Sequence, residues 1–182
     1  VNFGSDIVIT EYSNLNAIEP HPVSKQQKFY PSLAEIDGIR HIQVFATKAG
    51  IIKTDEEIEG VVVKGVGGDF DWSFFQKHLV KGEIFKTTDS SRSKNILISE
   101  NTANKMKLSL GDRMEVFFIH NEKQRARVFD VTGIYKTGLS EYDDKYVITD
   151  ITHIQRLNGW SENEVAGFEV FVDDFDRLEE MS

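Results

Sequence analysis

Residues 146–172, YVITDITHIQRLNGWSENEVAGFEVFV, read as strand, helix and strand in one short run. Tyr146 to Thr149 is aromatic and β-branched, which predicts a strand, and Asp150 stands where a helix N-cap belongs. Ile151, Ile154 and Leu157 then recur at helical spacing before the stop signal Asn158-Gly159. In the closing strand Phe168, Val170 and Val172 alternate with Glu169, Phe171 and Asp173, which predicts one buried face and one solvent face.

The start of the chain follows a longer version of the same grammar. Ile7, Val8 and Ile9 predict a strand within Asp6 to Tyr12, followed by a polar stretch through His21. Ser32-Leu33-Ala34-Glu35 has the form of a capping box and Gly38 that of a stop, so a helix is expected over Ser24 to Asp37, broken near Pro31, with Leu33 and Ile36 inward. Ile42, Val44 and Ala46, then Val61 to Val63, flank the acids Asp55 to Glu57 and predict a hairpin. If the helix-strand end pairs with this β-α-β-β start, the termini build a split βαβ, ferredoxin-like layer of an α+β fold, with the middle of the chain inserted.

That middle has its own signals. Asp71 can cap a short helix bearing Trp72, Phe75 and Leu79 on one stripe. Asn95 to Ser99 predicts a strand running into a helix led by Glu100, with Ala103 and Met106 inward and a stop before Gly111-Asp112. Arg113 to His120 and Arg125 to Tyr135 predict a second hairpin, closed by the polar tip Asn121 to Gln124.

Composition bounds the function. The 182 residues suit one large domain or two small interlocked ones, and 40% hydrophobic residues with 13 Phe, 5 Tyr and 2 Trp exclude disorder. A formal net charge of -9 has the wrong sign for neutralising phosphate backbones, so nucleic acid is not an expected partner. The absence of cysteine removes disulfides, thiolate nucleophiles and Cys-ligated metal centres. The longest apolar run is Val116 to Ile119, far short of the roughly 20 residues that span a bilayer. A chain opening at Val1 without an initiator methionine is expected to be processed or excised from something longer.

Catalytic signatures are not found. His21, His41, His78, His120 and His153 fall on different elements without metal-ligand spacing, so no metal site is expected. Gly65-Val66-Gly67-Gly68 follows a strand but lacks the Lys-Ser/Thr of a P-loop and reads as a strand-exit turn. Asp69 and Asp71, the group Glu141, Asp143 and Asp144, and the group Asp173, Asp174 and Asp176 do not follow the EF-hand order and read as caps and solvated loop acids. No catalytic residue and no cofactor is expected.

Several segments together resemble the extracytoplasmic domain of the MacB/FtsX-like ABC transporter permeases, especially lipoprotein-releasing permeases of the LolC/LolE type. The matching runs are Val63-Lys64-Gly65-Val66 with Asp69-Phe70-Asp71-Trp72 and Lys81-Gly82, and Ile98-Ser99 with Ala103, Leu108, Leu110, Gly111 and Asp112. The most specific run is Val131-Thr132-Gly133-Ile134-Tyr135, then Thr137-Gly138-Leu139 and Glu141-Tyr142-Asp143. Leu157-Asn158-Gly159 and Val165 to Val172 resemble the closing element.

The resemblance implies a MacB-like periplasmic core domain, with a Porter-like α/β subdomain over 1–82 and 146–182 and an inserted β-rich, Sabre-like subdomain over 83–145. It implies a non-enzymatic place on the periplasmic face of the bacterial inner membrane, between the first two transmembrane helices of a permease. Its implied partners are a cytoplasmic ATPase subunit, a second permease copy or paralogue, and a lipoprotein or other extracytoplasmic cargo. The alternatives are an efflux or secretion permease of the MacB type, or a free-standing α+β binding protein. Glu141-Tyr142-Asp143 with Gly138 either pins a subdomain boundary or faces a partner.

One departure from the resemblance concerns the hairpin at Arg113 to Tyr135. The LolC type carries there a long, proline-containing hook for a lipoprotein chaperone. Here Asn121, Glu122, Lys123 and Gln124, with Arg127 alongside, form a short tip without proline, so any partner docks there without a hook.

Overall fold

The computed structural model describes residues 6–12, 20–87, 92–120 and 122–173. Its strands are β1 (Ile7–Thr10), β2 (Val23–Ser24), β3 (Ile39–Lys53), β4 (Ile58–Val66), β5 (Leu79–Gly82), β6 (Asn95–Ser99), β7 (Arg113–His120), β8 (Lys123–Tyr135), β9 (Tyr146–Asp150), β10 (Glu164–Val165) and β11 (Gly167–Val172). The helices are α1 (Ser73–Lys77), α2 (Glu100–Met106), α3 (Ser140–Asp143) and α4 (Ile151–Asn158).

The sheet is organised by the β3–β4 hairpin. Its antiparallel ladder runs from Phe45↔Val66 to Lys53↔Ile58, and Thr54 closes the turn, its amide donating to the Glu57 carbonyl at 3.0 Å. β4 pairs in parallel with β9, β9 antiparallel with β6, β6 in parallel with β8, and β8 antiparallel with β7. β7 then returns to β3 at Ile51↔Phe117 and Ile52↔Val116, so six strands close into a ring. Closure joins β7 to β3 through two residue pairs, while β1 and β5 stay the outer strands of the sheet. It also explains Gly50, where an added Cβ would stand 2.7 Å from Val116 Cγ1.

Alternation along these strands turns Ala46, Ile52, Val63, Ile96, Ile98, Met114, Val116, Phe118, Phe129, Val131 and Val147 into one aliphatic-rich cluster. Ala103 and Met106 of α2 and Ile151, Ile154 and Leu157 of α4 complete it. The Asp150 cap and the Gly159 stop of α4 are as the sequence predicts, whereas α2 takes Ser99 as its cap and ends at Lys107, ahead of the Gly111-Asp112 stop. Ser99 accepts from the Thr102 amide at 3.0 Å and Asp150 from the Thr152 amide at 2.9 Å, while Lys107 and Gly159 end the two helices in the left-handed region.

The two ends of the chain meet as expected: β1 pairs with β11, and β11 with the first half of β3. A second cluster, rich in aromatics, packs Phe70, Phe75, Phe85, Tyr135 and Tyr142 against Val66, Leu97 and Ile148. Trp72 meets Phe70 and Phe85 edge-on, with ring centroids 4.8 and 4.9 Å away.

Four expectations need correction. Ser24 to Asp37 does not form a helix; only a single 3-10 turn, Ser32–Glu35, appears. Pro31 has no amide to donate, and a helix would have turned inward only Leu33 and Ile36, whereas the observed turns place Phe29 and Tyr30 against Phe168 at 5.0 and 5.2 Å. Ile36 stays exposed.

The second correction concerns β11, which is buried on both faces, Glu169 and Phe171 included, because the segment carrying Phe70 covers the side that alternation assigned to solvent. Third, α1 stops at Lys77, so Leu79 lies in β5, and Asp71 caps only locally, accepting from the Ser73 amide at 2.9 Å. Fourth, the second hairpin pairs out to His120↔Lys123, so Lys123 and Gln124 are strand residues.

Candidate functional site

The residues marked by the sequence fall in two places, a corner after β8 and the tip of the β7–β8 hairpin. In the corner, β8 ends at Tyr135 and the chain turns through Gly138, at φ 79°, into α3. The buried Asp143 holds that turn from within. Its Oδ1 accepts from the Thr137 amide at 3.0 Å and the Thr137 hydroxyl at 2.8 Å, and its Oδ2 accepts from the Gly138 amide at 3.0 Å. The Asp143 carbonyl accepts from the Ser99 hydroxyl, which also caps α2. Asp143 thus ties the exit of β8 to the start of α2.

Tyr142 lies in the aromatic cluster, and burial, reinforced by the Glu141 charge, pushes its phenol up to about 12. The neighbouring Tyr135 hydroxyl donates to the Tyr146 carbonyl at 2.7 Å. Glu141, Gly138 and Leu139 remain exposed, so they form the outward side of the corner.

At the tip, Glu122 takes a left-handed conformation at φ 60°, and Glu122, Lys123 and Gln124 are exposed. Asn121 lies outside the described residues. Arg127 is half-buried on β8, opposite Val116, and its Nη1 donates to the Ala126 carbonyl at 2.8 Å.

The other sequence candidates have structural partners. Asp69 Oδ2 accepts from the Tyr30 hydroxyl at 2.9 Å and the Val44 amide at 2.8 Å, and burial raises its carboxyl above the usual range. His41 Nε2 donates to the Asp69 carbonyl at 2.7 Å. Gly65 is a strand residue facing α4, where an added Cβ would meet Ile151 Cα at 2.7 Å, so it is packed against a helix and does not cradle a ligand. Asp173 donates its amide to the Gly38 carbonyl at 3.0 Å, while Asp174 and Asp176 lie outside the described residues. Among the described residues no three His, Asp or Glu side chains are grouped to hold a metal ion, and no helix is long and apolar enough to cross a membrane.

Sequence reasoning missed a buried polar row. Lys64 of β4 donates to Glu169 of β11, Gln43 of β3 donates to the same carboxylate at 2.9 Å, and the Asp71 amide donates to Gln43 Oε1 at 2.7 Å. Burial pushes the Lys64 ammonium down, against the pull of Glu169. A lysine inside the β-branched run Val61 to Val66 was the available signal, since such a residue needs a partner where it is covered.

The family model for the MacB-like periplasmic core domain matches residues 3–182. Among solved structures, the extracellular domain of the noncanonic ABC-type transporter YknZ from Gram-positive bacteria superposes with a TM-score of 0.58 at 17% identity, covering 87% of this chain and 78% of that one. The periplasmic region of MacB from Actinobacillus actinomycetemcomitans superposes with a TM-score of 0.53 at 13% identity, covering 82% of this chain and 66% of that one. At these identities the likeness is one of fold. No curated protein matches the chain.

Proposed function

This chain belongs to the MacB-like periplasmic core domains, and from that premise we propose that it relays movement between an ABC transporter's membrane helices and an extracytoplasmic cargo, without chemistry of its own. ATP hydrolysis on a cytoplasmic subunit would shift the transmembrane helices of a paired permease, and this domain would turn the shift into a change of shape outside the membrane. The observation that carries the reading is the ring β3–β4–β9–β6–β8–β7, because a relay must move as a body and the return of β7 to β3 ties these strands into one unit.

The division into 1–82 with 146–182 and 83–145 belongs to the same proposal. Strand pairing crosses it three times, β9 with β6, β5 with β8 and β3 with β7, so motion between the parts would have to work through those ladders. The exposed tip at 122–124 and the outward side of the corner at Gly138 and Glu141 are the proposed contact surfaces. The cargo is proposed to be a lipoprotein or another extruded molecule, met without a hook because the hairpin pairs out to His120↔Lys123.

The test is made in the parent permease, reconstituted in vesicles with its ATPase subunit. Removing residues 1–182 is expected to leave basal ATP hydrolysis intact and to abolish export; export that survives the removal overturns the reading. Incubation of the 182-residue chain with ATP is expected to release no phosphate, and turnover would overturn the reading of a domain without chemistry of its own.

A further inference from the structure

Four arginines converge from three parts of the chain. Arg125 and Arg127 are two residues apart on β8, opposite Phe118 and Val116, and therefore share a face with Phe129. Phe129 is buried, and its ring meets the His153 imidazole of α4 edge-on at 4.8 Å. Arg156 lies one turn further along α4, on the same side as His153. Arg92 adjoins Ser93, whose carbonyl accepts from His153 Nε2 at 2.6 Å.

Strand, helix and loop thus bring Arg92 and Arg127 close to one histidine, with Arg125 and Arg156 near Arg127. The half-buried Arg127 guanidinium is held below the ordinary arginine range by burial and then by the charges of Arg92, Arg125 and Arg156. Among the described residues none of the four is ion-paired; the ion pairs found there all use lysines. That is the reverse of what a chain with a formal net charge of -9 would supply by chance. The acid whose charge acts on His153 is already engaged, since Asp150 accepts from the Ser93 amide at 2.9 Å and from the Thr152 amide and hydroxyl at 2.9 and 2.7 Å.

His153 adds a second, independent sign. It is 2% exposed, and with Nε2 donating to Ser93 its Nδ1 is a buried acceptor without a partner. Burial lowers its affinity for a proton, with Arg92 and Arg127 acting the same way and the Ser93 carbonyl and Asp150 opposing them.

We propose that Arg92, Arg125, Arg127 and Arg156, backed by His153, form a binding site for a phosphate-type oxyanion. One carboxylate offers two oxygens and is satisfied by a single guanidinium fork, whereas a phosphate accepts from several forks arriving from different directions. A bound anion offsets the mutual repulsion of the arginines. It also favours protonation of His153 from solvent, so that Nδ1 becomes a donor. Two sources carry this chemistry, a phospholipid headgroup and a soluble phosphate. The site is independent of the transport reading.

The test titrates the 182-residue chain with inorganic phosphate against chloride at equal ionic strength, following the His153 ring signals by NMR. Saturable binding is expected, with the His153 titration midpoint moving up. Arg127→Gln combined with Arg156→Gln should weaken binding at least tenfold, Arg127→Lys should fall in between, and Lys77→Gln should change nothing, all at unchanged thermal midpoint. Sedimentation with phosphatidylglycerol vesicles, using phosphatidylcholine as control, separates the sources. Vesicle binding lost in the double variant assigns the headgroup, and phosphate binding without vesicle binding assigns the soluble anion. No saturable response to either, equal loss in Lys77→Gln, or a response only to a glutamate decapeptide overturns the proposal, the last by making the patch a protein-docking surface.

Discussion

Lys64 and Arg127 are both cations on strands of one ring, and the fold treats them in opposite ways. Lys64 is buried with a carboxylate and an amide gathered beside it, so its charge is consumed in joining β4 to β11 and β3. Arg127 is half-buried among other arginines, with its own backbone neighbour as the acceptor of its Nη1. A charge whose partners are supplied by the fold serves architecture, and a half-buried one left without a counter-charge carries a cost that a ligand could offset.

The comparison breaks most sharply at Glu169. Glu169→Ala leaves Lys64 buried without its carboxylate and is expected to destabilise the chain by about 3–5 kcal/mol. Lys64→Met with Glu169→Leu should recover most of that in urea unfolding, because an apolar pair of similar volume replaces a buried ion pair at little cost. A Glu169→Ala variant within 1 kcal/mol of wild type, by the same measurement and on the order of a single hydrogen bond, would mean that Lys64 reaches another acceptor or water.

Asp143 extends the architectural side, since its carboxylate accepts three hydrogen bonds in the Thr137–Gly138 turn. Asp143→Ala should cost about 2–3 kcal/mol. Hydrogen exchange should show the Thr137 and Gly138 amides losing protection first; unchanged protection there would assign the corner's stability to Tyr142 packing instead.

Trp72→Ala should cost about 2 kcal/mol, below the 3–5 typical of a fully buried aromatic, because Trp72 is only half-buried against Phe70 and Phe85. Trp72 fluorescence, read in a Trp160→Phe background, should be only moderately blue-shifted, and a fully water-like spectrum would contradict the packing.

The smallest effect belongs to His153 on the ligand side. Its folded-state affinity for a proton is lowered, so the unfolded chain binds the proton more readily. Its contribution to stability is therefore complete above about pH 6.5 and declines as acid approaches the depressed folded value. In phosphate-free buffer, His153→Gln should flatten this part of the thermal midpoint's pH profile. An unchanged profile would place the dependence elsewhere, with Asp69 the next group to test.

Local patterns were legible where they were also locally satisfied. The strand at Asn95 to Ser99, the helix after Asp150 and the stop at Gly159 rest on propensity, caps and spacing, which act within a few residues. The same logic failed at Ser24 to Asp37, where Phe29 and Tyr30 found Phe168 more than a hundred residues away and overrode a capping-box pattern. It failed again at Glu169, because alternation shows that two faces differ without showing whether a distant segment covers the second.

By itself, then, the sequence determined the α+β class, most of the strands and the helix after Asp150, and the absence of familiar catalytic motifs, since these follow from periodicity and residue type. Only the tertiary structure decided that six strands close into a ring, that Lys64 meets Glu169, and that Arg92, Arg125 and Arg156 gather near Arg127, with Arg92 and Arg127 near His153. Each of those depends on residues far apart along the chain, and the energy of a contact is set by distance in space, which no local pattern encodes.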